Sequence, residues 1–150
     1  MFSFSFINQV DSFAPDMLRV NMIFELIQES TKIPMKGIIN IAFLSDKEIC
    51  DLNREFREKD KTTDVLSFHY FDEFDSLEDD TVAGEIVLSE SKIQSQSKEY
   101  KHSLQEECEI LIIHSLLHIL GFDHEEDDDF EDMWEYESFI REKMGLSIER

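Results

Sequence analysis

Eight of the eleven residues from Ile110 to Leu120 are Ile or Leu, and the three exceptions are His114, Ser115 and His118. Ser103 and Glu106 make a capping box in front of this segment and Gly121 follows it, which predicts a helix with defined ends. Because its apolar residues fall on nearly every side, the helix has no face to offer water and must run through the middle of a domain. The rest of the chain has to be arranged to cover it.

The covering elements are legible in the same way. Phe2, Phe4 and Phe6 alternate with Ser3 and Ser5 and predict a half-buried first strand. Pro15 and Asp16 open an amphipathic helix carrying Met17, Val20, Ile23, Phe24 and Ile27, expected to end near Gln28. A second strand is expected over 38–44. Ser45 and Glu48 form another capping box, for a helix through Arg57. Strands are expected over 65–71 and 82–88, joined by an acidic segment, 72–80, whose charge predicts an exposed loop. Ser89 caps a polar helix to about Lys101. A last amphipathic helix is expected to turn Phe130, Met133, Trp134 and Phe139 inward and to stop at Gly145. These elements make an α+β fold: a single domain, 1–150, with a four-stranded mixed sheet packed with about five helices around a buried central helix.

Composition narrows the possible partners. Fourteen Lys and Arg against 35 Asp and Glu give a net charge of −21, so attraction to a polyanion or an acidic membrane has to come from a local basic patch. Cys50 and Cys108 are isolated, without metal-site or disulfide-scaffold spacing, and read as reduced thiols. The start, Met-Phe-Ser-Phe-Ser-Phe, has no basic segment followed by an apolar run, and nothing approaches the roughly 20 apolar residues of a membrane span. A cytoplasmic protein without membrane contact is the expectation.

His114 and His118 stand four residues apart, so their rings leave the helix on one face about 6 Å apart along the axis. Gly121 is free to take the left-handed conformation that turns the chain back and brings His124 up as a third nitrogen. Three imidazoles leave a fourth tetrahedral position open for water, as in a catalytic zinc site. Histidines simply hydrogen-bonded to the backbone are the ordinary alternative. Two polar rings on an otherwise apolar helix, with a third just past its end, favour one divalent metal ion, with Zn2+ first among imidazole-preferring ions. The spacing H-x-x-x-H-x-x-G-x-x-H equals that of metzincin-like metalloproteases, but their general-base Glu is replaced by Ser115, which removes the proton acceptor that peptide hydrolysis needs.

The block His114-Ser-Leu-Leu-His118-Ile-Leu-Gly121-Phe-Asp123-His124 resembles the YbeY family of metal-dependent endoribonucleases, whose pattern runs H-G-x-L-H-L-x-G-Y-D-H. Asn53-Arg-Glu-Phe-Arg57-Glu-Lys-Asp60-Lys-Thr-Thr63-Asp64-Val-Leu-Ser67-Phe68 resembles that family's N-x-x-Y-R-x-K-D-x-P-T-D-V-L-S-F-P segment, and Ala83-Gly84-Glu85-Ile86-Val87 its G-D-I-x-I strand. The chain departs from the pattern at Thr62 and His69, where the family usually has Pro, at Glu85 for Asp and at Ser115 for Gly. His69 is a candidate for a further imidazole close to the expected site, with an ordinary surface or packed histidine as the alternative.

The resemblance implies an enzyme that cleaves single-stranded RNA in ribosomal RNA maturation and ribosome quality control, with ribosomal RNA, the ribosome or ribosome-associated proteins as partners. It assigns Arg57 the catalytic role of facing the phosphate oxygens as charge builds up. Arg54, Lys59 and Lys61 are candidate substrate-binding residues, with an ordinary solvated helix end as the alternative. Asp123 is a candidate hydrogen-bond partner for a ligand imidazole and Glu85 a further carboxylate. A non-enzymatic ribosome assembly factor with a metal-stabilised fold is the other reading of the same residues.

Overall fold

The structure, a computed structural model, describes residues 1–59, 62–122 and 127–148, and of residues 127–130 the backbone alone. The chain runs β1 (Ser3–Phe6), α1 (Met17–Thr31), β2 (Ile38–Leu44), α2 (Asp46–Arg57), β3 (Val65–His69), β4 (Val82–Ser89), α3 (Glu90–Glu99), α4 (Leu104–Ile119) and α5 (Asp127–Lys143). The sheet order is β1-β2-β4-β3; β1, β2 and β4 are parallel and β3 is an antiparallel edge strand. This is the expected α+β architecture.

Local chemistry sets the element ends. Asp16 caps α1 by accepting from the Leu18 and Arg19 amides, and both predicted capping boxes form, at Ser45 with Glu48 and at Ser103 with Glu106. Helix α1 runs on to Thr31, three residues past the expected end, and stops at Lys32 in the left-handed region with φ 56°. Strand β3 ends at His69 instead of reaching residue 71, because the His69 ring turns back to the Phe71 carbonyl at 3.1 Å and Tyr70 and Phe71 face outward.

Strand alternation divides the side chains between two faces. Ile39, Ile41, Phe43, Ile86 and Leu88 join α4, α1 and α5 in the main core. On the other face Leu66 and Val87 pack with Ile49 of α2. From Glu107 to Ile119 every residue of α4 is buried except His114 and His118. Each fully buried Ile or Leu of this helix contributes roughly 1.5–3 kcal/mol relative to exposure, so α4 is held rigidly in place by its surroundings.

Two expectations about burial are corrected. The acidic segment 72–80 is not wholly exposed: Phe74 is 4% accessible and meets the Phe2 ring edge-on at 5.2 Å, because this apolar residue closes the core beside the start of β1. On α5, Trp134 and Phe139 point outward, at 37% and 44% exposure. The buried stripe is instead Met133, Glu137 and Ile140, continued by Met144, since this three- and four-residue spacing keeps to one helical face. The Phe130 side chain lies outside the described residues.

Candidate metal centre

The end of α4 is shaped by a Schellman motif. Gly121, at φ +104°, donates to the His118 carbonyl at 3.0 Å, and the Phe122 amide donates to Leu117 at 3.1 Å. The sharp reversal anticipated from Gly121 is therefore present. His124 and Asp123, placed by the sequence just after this turn, lie outside the described residues, as does Lys61.

His114 and His118 meet as their four-residue spacing dictates. Their Nε2 atoms are 2.9 Å apart and their rings are inclined at 77° with centroids separated by 4.5 Å. Two nitrogens on one tetrahedral zinc, each at about 2.0–2.1 Å from it, stand roughly 3.3 Å apart. The pair thus converges on a single point and needs only a slight opening to share a cation there. Among the described residues no third metal-ligating side chain joins them.

Behind His114 stands a carboxylate that nothing local in the sequence distinguishes from the other acidic residues of α5. Glu137 of α5 is 3% accessible, and its Oε1 lies 2.7 Å from His114 Nδ1. Its other oxygen faces the buried Arg141 guanidinium at 3.5 Å. Arg141 in turn donates to the Ser147 carbonyl and sits 5.6 Å from the centre of the Trp134 ring. The available signal was a carboxylate on the stripe of Met133 and Ile140. Finding its partner required knowing how α5 docks on α4.

The remaining candidates distribute around β3. Register pairs Ser67 with Ile86 and His69 with Gly84, which puts both side chains on the α4 face of the sheet. A Cβ at Gly84 would stand 2.5 Å from the Phe68 carbonyl oxygen and 3.5 Å from Ile119 Cδ1, so the end of β3 and the end of α4 close together over this glycine. Arg57, the last residue of α2, reaches the free edge of β3 and donates from Nη2 to the Ser67 carbonyl at 3.2 Å. Arg57 thereby anchors on the same strand whose last residues close with Ile119 of α4 over Gly84. Arg54 is paired with Asp51 at 2.9 Å, with both side chains about half exposed, and Lys59 is exposed beside them.

Glu85 is on the opposite face. It pairs with Phe68 and Asn40 and lines an open trough of about 560 Å³ with Leu52, Phe56 and Tyr70. Burial, and then the Glu85 carboxylate beside it, push the Tyr70 hydroxyl above its usual range. The sheet thus separates Glu85 from the histidine pair. Ser115 is fully buried, and its Oγ has no hydrogen-bond partner among the described residues; the structure gives no physical reason for a hydroxyl there.

Comparison with known proteins gives the family. Residues 9–145 match the endoribonuclease YbeY family. The chain belongs to the YbeY family. It is 39% identical over 152 aligned positions to the endoribonuclease YbeY of Caldicellulosiruptor bescii, covering 93% of this chain and 96% of that one. It is also 41% identical to that of Clostridioides difficile, over 74% of each chain, and 40% to that of Alkaliphilus metalliredigens, over 72% of this chain and 71% of the relative. A solution structure of a Thermotoga maritima protein has the same fold, with a TM-score of 0.56, 23% identity and coverage of 95% of this chain and 91% of that one. The YbeY motifs read from the sequence thus fall inside a match that takes in nearly all of the chain. Among the described residues no helix is long and apolar enough to cross a membrane.

Proposed function

We propose that this protein is a metal-dependent endoribonuclease that cuts single-stranded RNA, acts in ribosomal RNA maturation and ribosome quality control, and meets its substrate on the ribosome or with ribosome-associated proteins in the cytoplasm. The observation that carries the metal dependence is the convergence of His114 and His118 Nε2 at 2.9 Å, at the only two positions from Glu107 to Ile119 of α4 that are not buried. The relatives named endoribonuclease YbeY support RNA as the substrate.

His114, His118 and His124 hold the cation, with Zn2+ the first choice for an all-imidazole set. When bound, it supplies Lewis-acid polarisation of a phosphoryl oxygen and makes a water more acidic. Arg57 supplies the positive charge from the chain itself. Among the described residues its hydrogen bonding is the one donation to Ser67, so most of its five N–H donors are available to non-bridging phosphate oxygens as charge develops on them. Lys59, Lys61 and Arg54 provide the local cationic edge that a chain of net charge −21 needs in order to accept a phosphodiester.

The test combines elemental analysis of the purified full chain with end-mapping on an oligoribonucleotide offered single-stranded and as a duplex. Stoichiometric zinc, cuts confined to the single strand, and loss of both metal and cuts in His118→Ala are expected. Bound metal without cleavage would favour an assembly factor, and casein digestion a protease.

A further inference from the structure

We infer that Glu137 is a positioning residue for the metal centre: it fixes the tautomer of His114 so that the Nε2 lone pair faces the point where His118 converges. The inference rests on the proposed metal site and adds to it a residue from a different helix.

An imidazole can ligate through Nε2 only if that nitrogen carries no hydrogen, and a neutral ring then carries its hydrogen on Nδ1. His114 Nδ1 is 2.7 Å from Glu137 Oε1, a length proper to a charge-assisted hydrogen bond. A carboxylate there accepts an N–H and repels a lone pair, so it selects the Nδ1–H form. His114 Nε2 is then an acceptor, and the hydrogen in the 2.9 Å Nε2···Nε2 contact comes from His118. A cation at the same point would take the place of that hydrogen. The carboxylate on the far side of the ring also makes the ligating nitrogen a stronger donor.

The surroundings are built to keep the carboxylate in this role. Glu137 is 3% and Arg141 4% accessible, so their 3.5 Å approach is shielded from water, and the Arg141 guanidinium is further fixed against the Trp134 ring and the Ser147 carbonyl. A carboxylate whose only purpose was solubility would not occupy the inward stripe between Met133 and Ile140. The arrangement also means that α5 must be docked for His114 to be correctly prepared, which ties the site to the C-terminal helix as well as to α4.

Two variants of the full chain separate this role from a purely structural one. Glu137→Gln keeps the shape and removes the charge. The double change Glu137→Met with Arg141→Met replaces the buried pair by apolar side chains of similar length, an exchange that cores often tolerate. Zinc affinity, measured by competition with a chromogenic chelator, is expected to fall about 10-fold in Glu137→Gln and up to about 100-fold in the double variant. Nitrogen chemical shifts of the metal-free protein are expected to show His114 as the Nδ1–H tautomer in the wild type and as a mixture in the double variant. Wild-type zinc affinity in both folded variants would overturn the inference. Should the wild type itself take up no zinc, the metal reading fails, and the tautomer measurement alone decides Glu137: an unchanged His114 tautomer in the double variant overturns its role, and a lost preference sustains it.

Discussion

The guanidinium of Arg57 crosses from the end of α2 to the open edge of β3 and donates to the Ser67 carbonyl over 3.2 Å. That bond holds an exposed side chain on β3 two residues before His69, which pairs with Gly84 beside Ile119 of α4. The edge of an antiparallel strand has carbonyls to spare, and here one of them serves as an anchor for a cation.

If Arg57 stabilises charge on the phosphate and does nothing for the metal, Arg57→Ala should keep full zinc content and lose about 10²–10³-fold in kcat on a single-stranded oligoribonucleotide. Arg57→Lys should recover only part of the loss, because an ammonium has no planar fork. Unchanged turnover in Arg57→Ala would remove Arg57 from the mechanism.

The buried Glu109 of α4 is gripped by Arg19 of α1, with hydrogen bonds of 2.7 and 2.9 Å, and also accepts from Gln105. Arg19 additionally donates to the Met144 carbonyl at 2.7 Å and so joins three parts of the chain. Breaking a fully buried ion pair costs about 3–5 kcal/mol, and since the Arg19 side chain is 33% exposed a smaller loss follows. Arg19→Met should lower the unfolding free energy in urea by about 2 kcal/mol. Adding Glu109→Leu should return most of it, since no unpaired charge remains; failure to recover would mean that the carboxylate is needed for something other than its pairing.

Asp46, the first residue of α2, accepts hydrogen bonds from Ser91 at 2.6 Å and Ser89 at 2.7 Å and so ties α2 to the start of α3. The Ser91 and then the Ser89 hydroxyl hold its carboxyl below its ordinary value of 3.8. A folded-state pKa below the unfolded one gives stability that is complete above about pH 4 and is lost as pH falls through the folded value. Urea midpoints of the wild type and Asp46→Asn should therefore differ at pH 7, with the wild type higher, and the gap should narrow progressively as pH falls below about 4. A gap that stays constant from pH 7 down to pH 3 would show that the charge is not responsible.

Gly84 has no room for a methyl group against the Phe68 carbonyl, 2.5 Å from where a Cβ would lie. Because the obstacle is backbone, it cannot rotate away. Gly84→Ala should destabilise by about 1–3 kcal/mol in urea denaturation and, by separating the ends of β3 and α4, weaken zinc binding as well. Gly121→Ala offers a contrast: nothing lies within 4 Å of its Cβ position, and the strain comes only from φ +104°. Its cost should be about 1 kcal/mol.

Much of this architecture is written locally. The capping residues Asp16, Ser45 and Ser103 act on amides two or three positions away, and Gly121 reverses the chain by its own backbone freedom. The His114 and His118 pair follows from helical pitch alone, which is why the sequence sufficed to bring those rings together. The wholly apolar stretch from Ile110 required a central helix, and the motif resemblance to YbeY proteins pointed to the family that the comparisons then gave.

What only the tertiary structure decided concerns groups whose partners are distant in sequence. Glu137 and His114 are 23 residues apart, and nothing local in an acidic helix says which carboxylate will turn inward. The rotation of α5, which buries Met133 and exposes Trp134 and Phe139, is fixed by packing on α4 and α1, and the side of the sheet that Glu85 takes is fixed by the register with β2 and β3. Periodicity tells that a helix or strand has two faces; which face meets which neighbour is settled by the free energy of the assembled core.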